Sequence, residues 1–112
     1  SDLNLSSSVV GMKLETYGVY TASKAAIESL TAILAKELRG KNITVNAIAP
    51  GPTVTALFLE GKSDELIARL IQAAPLERLG TVEDIAAVLD FAVNEGSNWV
   101  NAQILRVNGG IV

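Results

Sequence analysis

Tyr20 and Lys24, in the run YTASK, are the residues of this 112-residue chain best suited to move a proton. Their i, i+4 spacing puts both side chains on one face of a helix, about 5–6 Å apart at Cβ. A phenol titrates near ~10, too high for an acid or base at neutral pH. An ammonium beside it favours the phenolate and lowers that value, which makes the pair a plausible proton donor and acceptor. The same spacing also serves ordinary helix-surface pairs, so the pair alone leaves both readings open. Tyr17 is a weaker candidate, since seven residues put it two turns, or roughly 10 Å, from Lys24. The chain has no Cys and no His. That excludes thiol catalysis, His-based zinc sites and Ser-His-Asp triads, and no metal site is expected. Acid/base work falls to Tyr, Lys, Asp or Glu.

Two further segments could assist. Ser6-Ser7-Ser8 follows a short apolar piece, and at the C-terminal end of a strand in an open α/β sheet a hydroxyl faces the ligand crevice. It could equally be a polar strand exit. Residues 46–55, NAIAPGPTVT, leave another strand. There Pro50 and Gly51 turn the backbone, Gly permits close approach to a ligand, and Thr53 and Thr55 offer hydroxyls. Taken singly it is only a strand-to-loop turn.

The elements that must position these residues alternate between two periodicities. Leu3 to Leu5 reads as the end of a strand, and residues 9–17 as a loop. From Gly18 to Arg39 there is no Gly or Pro inside the run, Ala is abundant, and Gly40 supplies a C-terminal signal. Ile43 to Ala49 has the length and composition of a strand buried on both faces, stopped by Pro50, Gly51 and Pro52. Ser63, with Asp64 and Glu65 behind it, reads as the N-cap of a helix reaching about Ala74. Thr81 with Asp84 is a capping-box-like start for a helix ending near Gly96. Gln103 to Val107 is a last strand, closed by Asn108-Gly109-Gly110. The long crossovers call for parallel strands, so the fold class is α/β, three strands of a doubly wound Rossmann-like sheet with flanking helices. Apolar residues reach almost all the way round the helix at 20–39, so it should be buried on more than one side. One side is the sheet; the other needs a missing part of the chain or another subunit.

Nine basic residues against twelve acidic ones give a net charge of -3. This leaves no electrostatic footprint for nucleic acid and no basic stripe for an anionic membrane. Residues 1–11 lack the features of a signal peptide, and a cytoplasmic location is the default expectation.

In combination the motifs are far more specific. The chain resembles the short-chain dehydrogenase/reductase family through a Ser ahead of a YxxxK motif (Ser8, Tyr20, Lys24), Asn46 with Pro50-Gly51, RLGTVEDIA at 78–86 and VNGG at 107–110. The likeness is to the branch holding 3-oxoacyl-carrier-protein reductases and glucose/ribitol-type dehydrogenases. It implies that Tyr20 is the catalytic acid/base. It further implies that Lys24 lowers the Tyr pKa and holds the nicotinamide ribose, and that Ser8 polarises the substrate carbonyl. Ser8 stands twelve positions before Tyr20 where thirteen is commoner, which keeps Ser7 a rival. The resemblance implies that Pro50, Gly51, Thr53 and Thr55 contact the nicotinamide end of the cofactor, NADP or NAD with NADP favoured. Asn108 stands where Asp is usual and Ala102 where Gly is usual.

The family's TGxxxGxG pyrophosphate turn is nowhere in residues 1–112, nor is its catalytic Asn. The expectation is therefore the C-terminal catalytic portion of a single NAD(P)-binding domain, inactive alone. The expected reaction is hydride transfer between nicotinamide and a small carbonyl or alcohol substrate, 3-oxoacyl thioesters among the candidates, in a homo-tetramer or dimer built through helix 20–39. The competing expectation is a truncated, non-catalytic subunit-interaction module whose motifs are relics.

Overall fold

The computed structural model describes residues 2–7, 18–55 and 59–112, with side chains for 3–7, 21–55 and 59–112. The elements are β1 (Asp2–Leu5), α1 (Gly18–Glu37), β2 (Val45–Pro50), α2 (Asp64–Ala73), α3 (Val82–Val93), a single 3₁₀ turn (Glu95–Ser97) and β3 (Ile104–Val107). The strands lie in the order β1-β2-β3, all parallel, with Leu5 opposite Ile48 and Pro50 opposite Val107. The α/β architecture read from the sequence is the one observed. The loop expected at residues 9–17 lies outside the described residues, which resume at Gly18, the first residue of α1.

The middle strand is the core. Val45, Ala47 and Ile48 are fully buried and Ala49 is 1% exposed. Because neighbouring residues on a strand point to opposite faces, burial of the whole run requires cover on both. α1 packs on β1 and β2, and α3 on β2 and β3.

β2 departs from expectation at both ends. It begins at Val45, two residues after the apolar run starts, because Asn42 adopts a left-handed backbone (φ 58°) and Ile43 remains part-exposed. It ends on Pro50 rather than before it. Ala47 and Gly51 donate their N–H groups to the Gln103 and Val107 carbonyls of the β3 side. By alternation the Pro50 nitrogen faces the β1 side, where the last rung is the Ser6 N–H to the Ile48 carbonyl. Having no N–H, Pro50 ends the ladder with β1 there, while its pairing with Val107 on the β3 side needs no donor from it.

Asn46 is 2% exposed yet belongs to this apolar strand. Its Nδ2 donates to the Val100 carbonyl at 2.9 Å, and its Oδ1 accepts from the Gln103 N–H at 3.0 Å. It thus ties β2 to the turn that enters β3. Asn46→Ala strands both partners without replacing them. It is expected to lower unfolding stability by about 2–4 kcal/mol, read as a shifted urea midpoint with little change in slope.

Both helix starts read from the sequence are present. Ser63 Oγ accepts from the Leu66 N–H at 3.1 Å. Thr81 Oγ1 accepts from the Asp84 N–H at 3.1 Å, while Asp84 Oδ2 accepts from the Thr81 N–H at 2.8 Å. α1 is covered on one side within this chain. Its sheet-facing side is closed, with Thr31 fully buried and Ala35 7% exposed, but Leu30 and Ile33 are 59% and 51% exposed. Ala32 is half-buried, and so does not belong to that outer stripe.

Candidate active site

Parallel strands bring three carboxyl ends to one edge of the sheet: Leu5 with Ser6 and Ser7, Pro50 with Gly51, and Val107 with Asn108. α1 starts on this edge. Tyr20 and Lys24 are both residues of α1, one turn apart, as the YxxxK spacing requires. Lys24 Nζ reaches the Leu5 carbonyl at 3.5 Å, a long contact that fixes the ammonium beside the exit of β1. The Tyr20 side chain and the whole of Ser8 lie outside the described residues.

The three hydroxyls read as one run separate at this point. Ser6 continues the ladder, its N–H donating to the Ile48 carbonyl at 2.7 Å, and its side chain is 3% exposed. Its hydroxyl donates to Glu28 Oε2 on α1. Ser6 is thereby committed to the helix. Two residues back, Asn4 Nδ2 donates to Thr31 Oγ1 at 3.0 Å, and that hydroxyl donates to the Ile27 carbonyl at 2.8 Å. In the sequence Glu28 is only one of four charged residues within α1. The signal that could have marked it is its place one turn beyond Lys24, on the same face.

The loop after β2 is pinned rather than free. Thr53 Oγ1 donates to the Gly51 carbonyl at 2.9 Å. The Val54 N–H donates to the Gly80 carbonyl at 2.8 Å, and the Gly80 N–H to the Pro52 carbonyl at 2.9 Å. Thr55 accepts the Leu59 N–H on its carbonyl at 3.0 Å. Of the four loop residues expected to meet a cofactor, Gly51 has an additional, structural reason to be Gly. A Cβ there would stand 2.5 Å from Asn108 Cβ and 2.9 Å from Asn108 Cα. Gly51→Ala must push the exits of β2 and β3 apart, and should cost about 1–3 kcal/mol, measurable by chemical denaturation.

RLGTVED holds the far side of this loop. The Arg78 guanidinium grips Asp84 with both arms, Nη1 to Oδ2 at 2.7 Å and Nη2 to Oδ1 at 3.2 Å. The Arg78 hydrogen bond, with the Thr81 N–H behind it, holds the Asp84 carboxyl well below the usual carboxylate range. Asp84 is thus an anchor and a cap, with no proton to lend at neutral pH. A cavity of about 180 Å³ opens beside Arg78, Asp84 and Asn108. Lys24, Ser6 and Ser7 do not line it. Among the described residues no three His, Cys, Asp or Glu side chains gather to hold a metal ion, and no helix is long and apolar enough to cross a membrane.

Known proteins share this arrangement. A family model described as "Enoyl-(Acyl carrier protein) reductase" matches residues 1–112. A "Short-chain type dehydrogenase/reductase" of Picea abies is 52% identical over 110 residues, which are 98% of this chain and 41% of that protein. An Arabidopsis thaliana "NADPH-dependent aldehyde reductase-like protein, chloroplastic" is 46% identical over 96 residues, 86% of this chain and 36% of that protein. A crystallised 7α-hydroxysteroid dehydrogenase, complexed with NADH and 7-oxo glycochenodeoxycholic acid, superimposes with a TM-score of 0.92 at 36% identity, over 96% of this chain and 42% of that one. The chain therefore spans about two-fifths of the length of these relatives. With the family model covering every residue, and three parallel strands carrying the YxxxK helix on their carboxyl edge, the chain belongs to the short-chain dehydrogenase/reductase family.

Proposed function

We propose that these residues are the C-terminal catalytic portion of an NAD(P)-dependent oxidoreductase acting on a small carbonyl or alcohol substrate. The observation that carries the reading is the placement of Tyr20 and Lys24 on one helix, with the Lys24 ammonium against the carboxyl end of β1 where Ser7 and Ser8 follow. The donor set suits the nicotinamide–ribose end of a dinucleotide: a cation on the strand edge, and a hydroxyl-bearing loop held rigid by Gly80. When bound, the nicotinamide supplies or accepts the hydride. The protein's share is the proton and the geometry. Tyr20 gives the proton to the substrate oxygen in reduction and takes it in oxidation. Lys24 places positive charge one turn from the phenol, which favours the phenolate and brings its pKa toward neutrality. Ser8, with Ser7 as its rival, donates a hydrogen bond to the same oxygen and fixes its direction. Pro50, Gly51, Thr53 and Thr55 would meet the nicotinamide end, and Lys24 the ribose.

NADP is the favoured cofactor, in keeping with the NADPH dependence in the names of two Arabidopsis relatives. The substrate class is an aldehyde or ketone, with 3-oxoacyl thioesters as one candidate. The assembly is a homo-tetramer or dimer through helix 20–39, a reading supported by the exposed Leu30 and Ile33. The test uses the complete polypeptide. Nicotinamide absorbance is followed with NADPH and NADH against a panel of aldehydes, ketones and 3-oxoacyl thioesters. Turnover that requires a carbonyl is expected; no turnover with either nucleotide across the panel would overturn the proposal.

A further inference from the structure

The seam between α1 and β1 carries polar contacts between side chains. Three α1 residues reach back to successive positions of the strand: Thr31 meets Asn4, Lys24 meets the Leu5 carbonyl, and Glu28 meets the Ser6 hydroxyl. Lys24 and Glu28 are one turn apart on a single helix face. Ser6 and Thr31 are buried to 3% and 0% exposure, so the contacts they make with Glu28 and Asn4 are not incidental surface ones. A helix resting on Ala, Val and Ile alone could slide or rotate slightly at little cost, since such contacts are non-directional. Directed hydrogen bonds remove that freedom. The Ser6–Glu28 bond is the one nearest the carboxyl edge that joins two side chains, and it grips the residue from which Ser7 and Ser8 depart.

We infer that Glu28 is a positioning residue for the proposed reaction, acting through Ser6. It fixes the height of the helical turn bearing Lys24 against the exit of β1, and so sets the distance between the Tyr20–Lys24 pair and the Ser7–Ser8 hydroxyls. The inference rests on the function proposed above. Its requirement is an acceptor at the end of the Glu28 side chain, aimed at Ser6; the negative charge is incidental. Misplacement of reacting groups by as little as 1 Å can cost about 100-fold in rate, so losing one of several tethers should be felt in kcat.

The test is steady-state kinetics on the complete enzyme with saturating cofactor, with Tyr20→Phe run alongside. Glu28→Ala and Ser6→Ala should each lower kcat about tenfold, with the substrate KM within a factor of two. The double variant should be no worse than either single one, because both break the same link. Glu28→Gln keeps the acceptor and should restore most of the rate with the pH profile in place. Glu28→Leu fills the space without an acceptor and should not. Full activity in Ser6→Ala, a small and readily accommodated change, would overturn the inference while leaving the proposed function standing if Tyr20→Phe is dead. Failure of Glu28→Gln to recover, or rescue by Glu28→Leu, would also overturn it, pointing to charge or to packing respectively. Activity surviving in Tyr20→Phe would overturn the functional proposal and this inference with it.

Discussion

Tyr20→Phe in the complete enzyme is expected to lower kcat by about 10²–10⁴-fold, the range that one positioned proton donor contributes. The substitution removes a single oxygen and keeps the ring, so thermal stability should hold. The substrate KM should move little, because a proton transferred in the transition state adds little to ground-state binding. Lys24→Met should behave differently. Lys24 is assigned both charge beside the phenol and a hold on the ribose, so kcat should fall and cofactor affinity should weaken together. Its contact with the Leu5 carbonyl also goes. Ser7→Ala and Ser8→Ala discriminate the two hydroxyls, the larger loss of kcat marking the one that touches the substrate oxygen. A Tyr20→Phe enzyme keeping more than a tenth of its turnover would remove the acid/base assignment.

The second large effect concerns assembly. Leu30 and Ile33 are 59% and 51% exposed on the side of α1 turned from the sheet. Leu30→Asp or Ile33→Asp places a carboxylate in that stripe. If a second copy covers it, burying an unpaired charge costs far more than a subunit contact returns. The mass by light scattering should then fall from tetramer or dimer toward monomer at micromolar concentration. Ala32 is an unsuitable probe, because it is already half-buried within the chain and its charge would disturb folding as well as association. A wild-type monomer, or an Ile33→Asp protein of unchanged mass, would count against the proposed interface.

Much of the architecture could be read from residue order because its boundaries are chemical. Ser63 and Thr81 cap helices through their own hydroxyls, and Gly40, Gly109 and Gly110 take the left-handed backbone where elements end. The errors arose where tertiary pairing decides. Pro50 does end the pairing with β1, yet it belongs to β2, because its register with Val107 on the β3 side needs no donor from it. Ile43 looked like strand, but Asn42 turns the chain just before it. At the site, YxxxK was legible because its two members lie one helical turn apart. Ser6 with Glu28, and Gly51 with Asn108, were not, since each joins residues far apart in sequence and no local pattern encodes the meeting. Ser6 could not be told from Ser7 and Ser8 until its burial was known.

The crossed hydrogen bonds between Pro52, Val54 and Gly80 bring the two stems of one long excursion together, and Ala74, 4% exposed, seats its returning arm near Gly109. The entropy of closing that loop is met once, at the stems, and depends only logarithmically on what lies between. Doubling the length of such a loop adds only about 0.6 kcal/mol. α2 contains no buried residue, and the exposed turn at Gly61 just before it has a left-handed backbone and open space around it. The stretch from Gly61 through α2 is therefore a cassette: extra residues spliced in at Gly61 should leave the register of β2 against β3 unchanged.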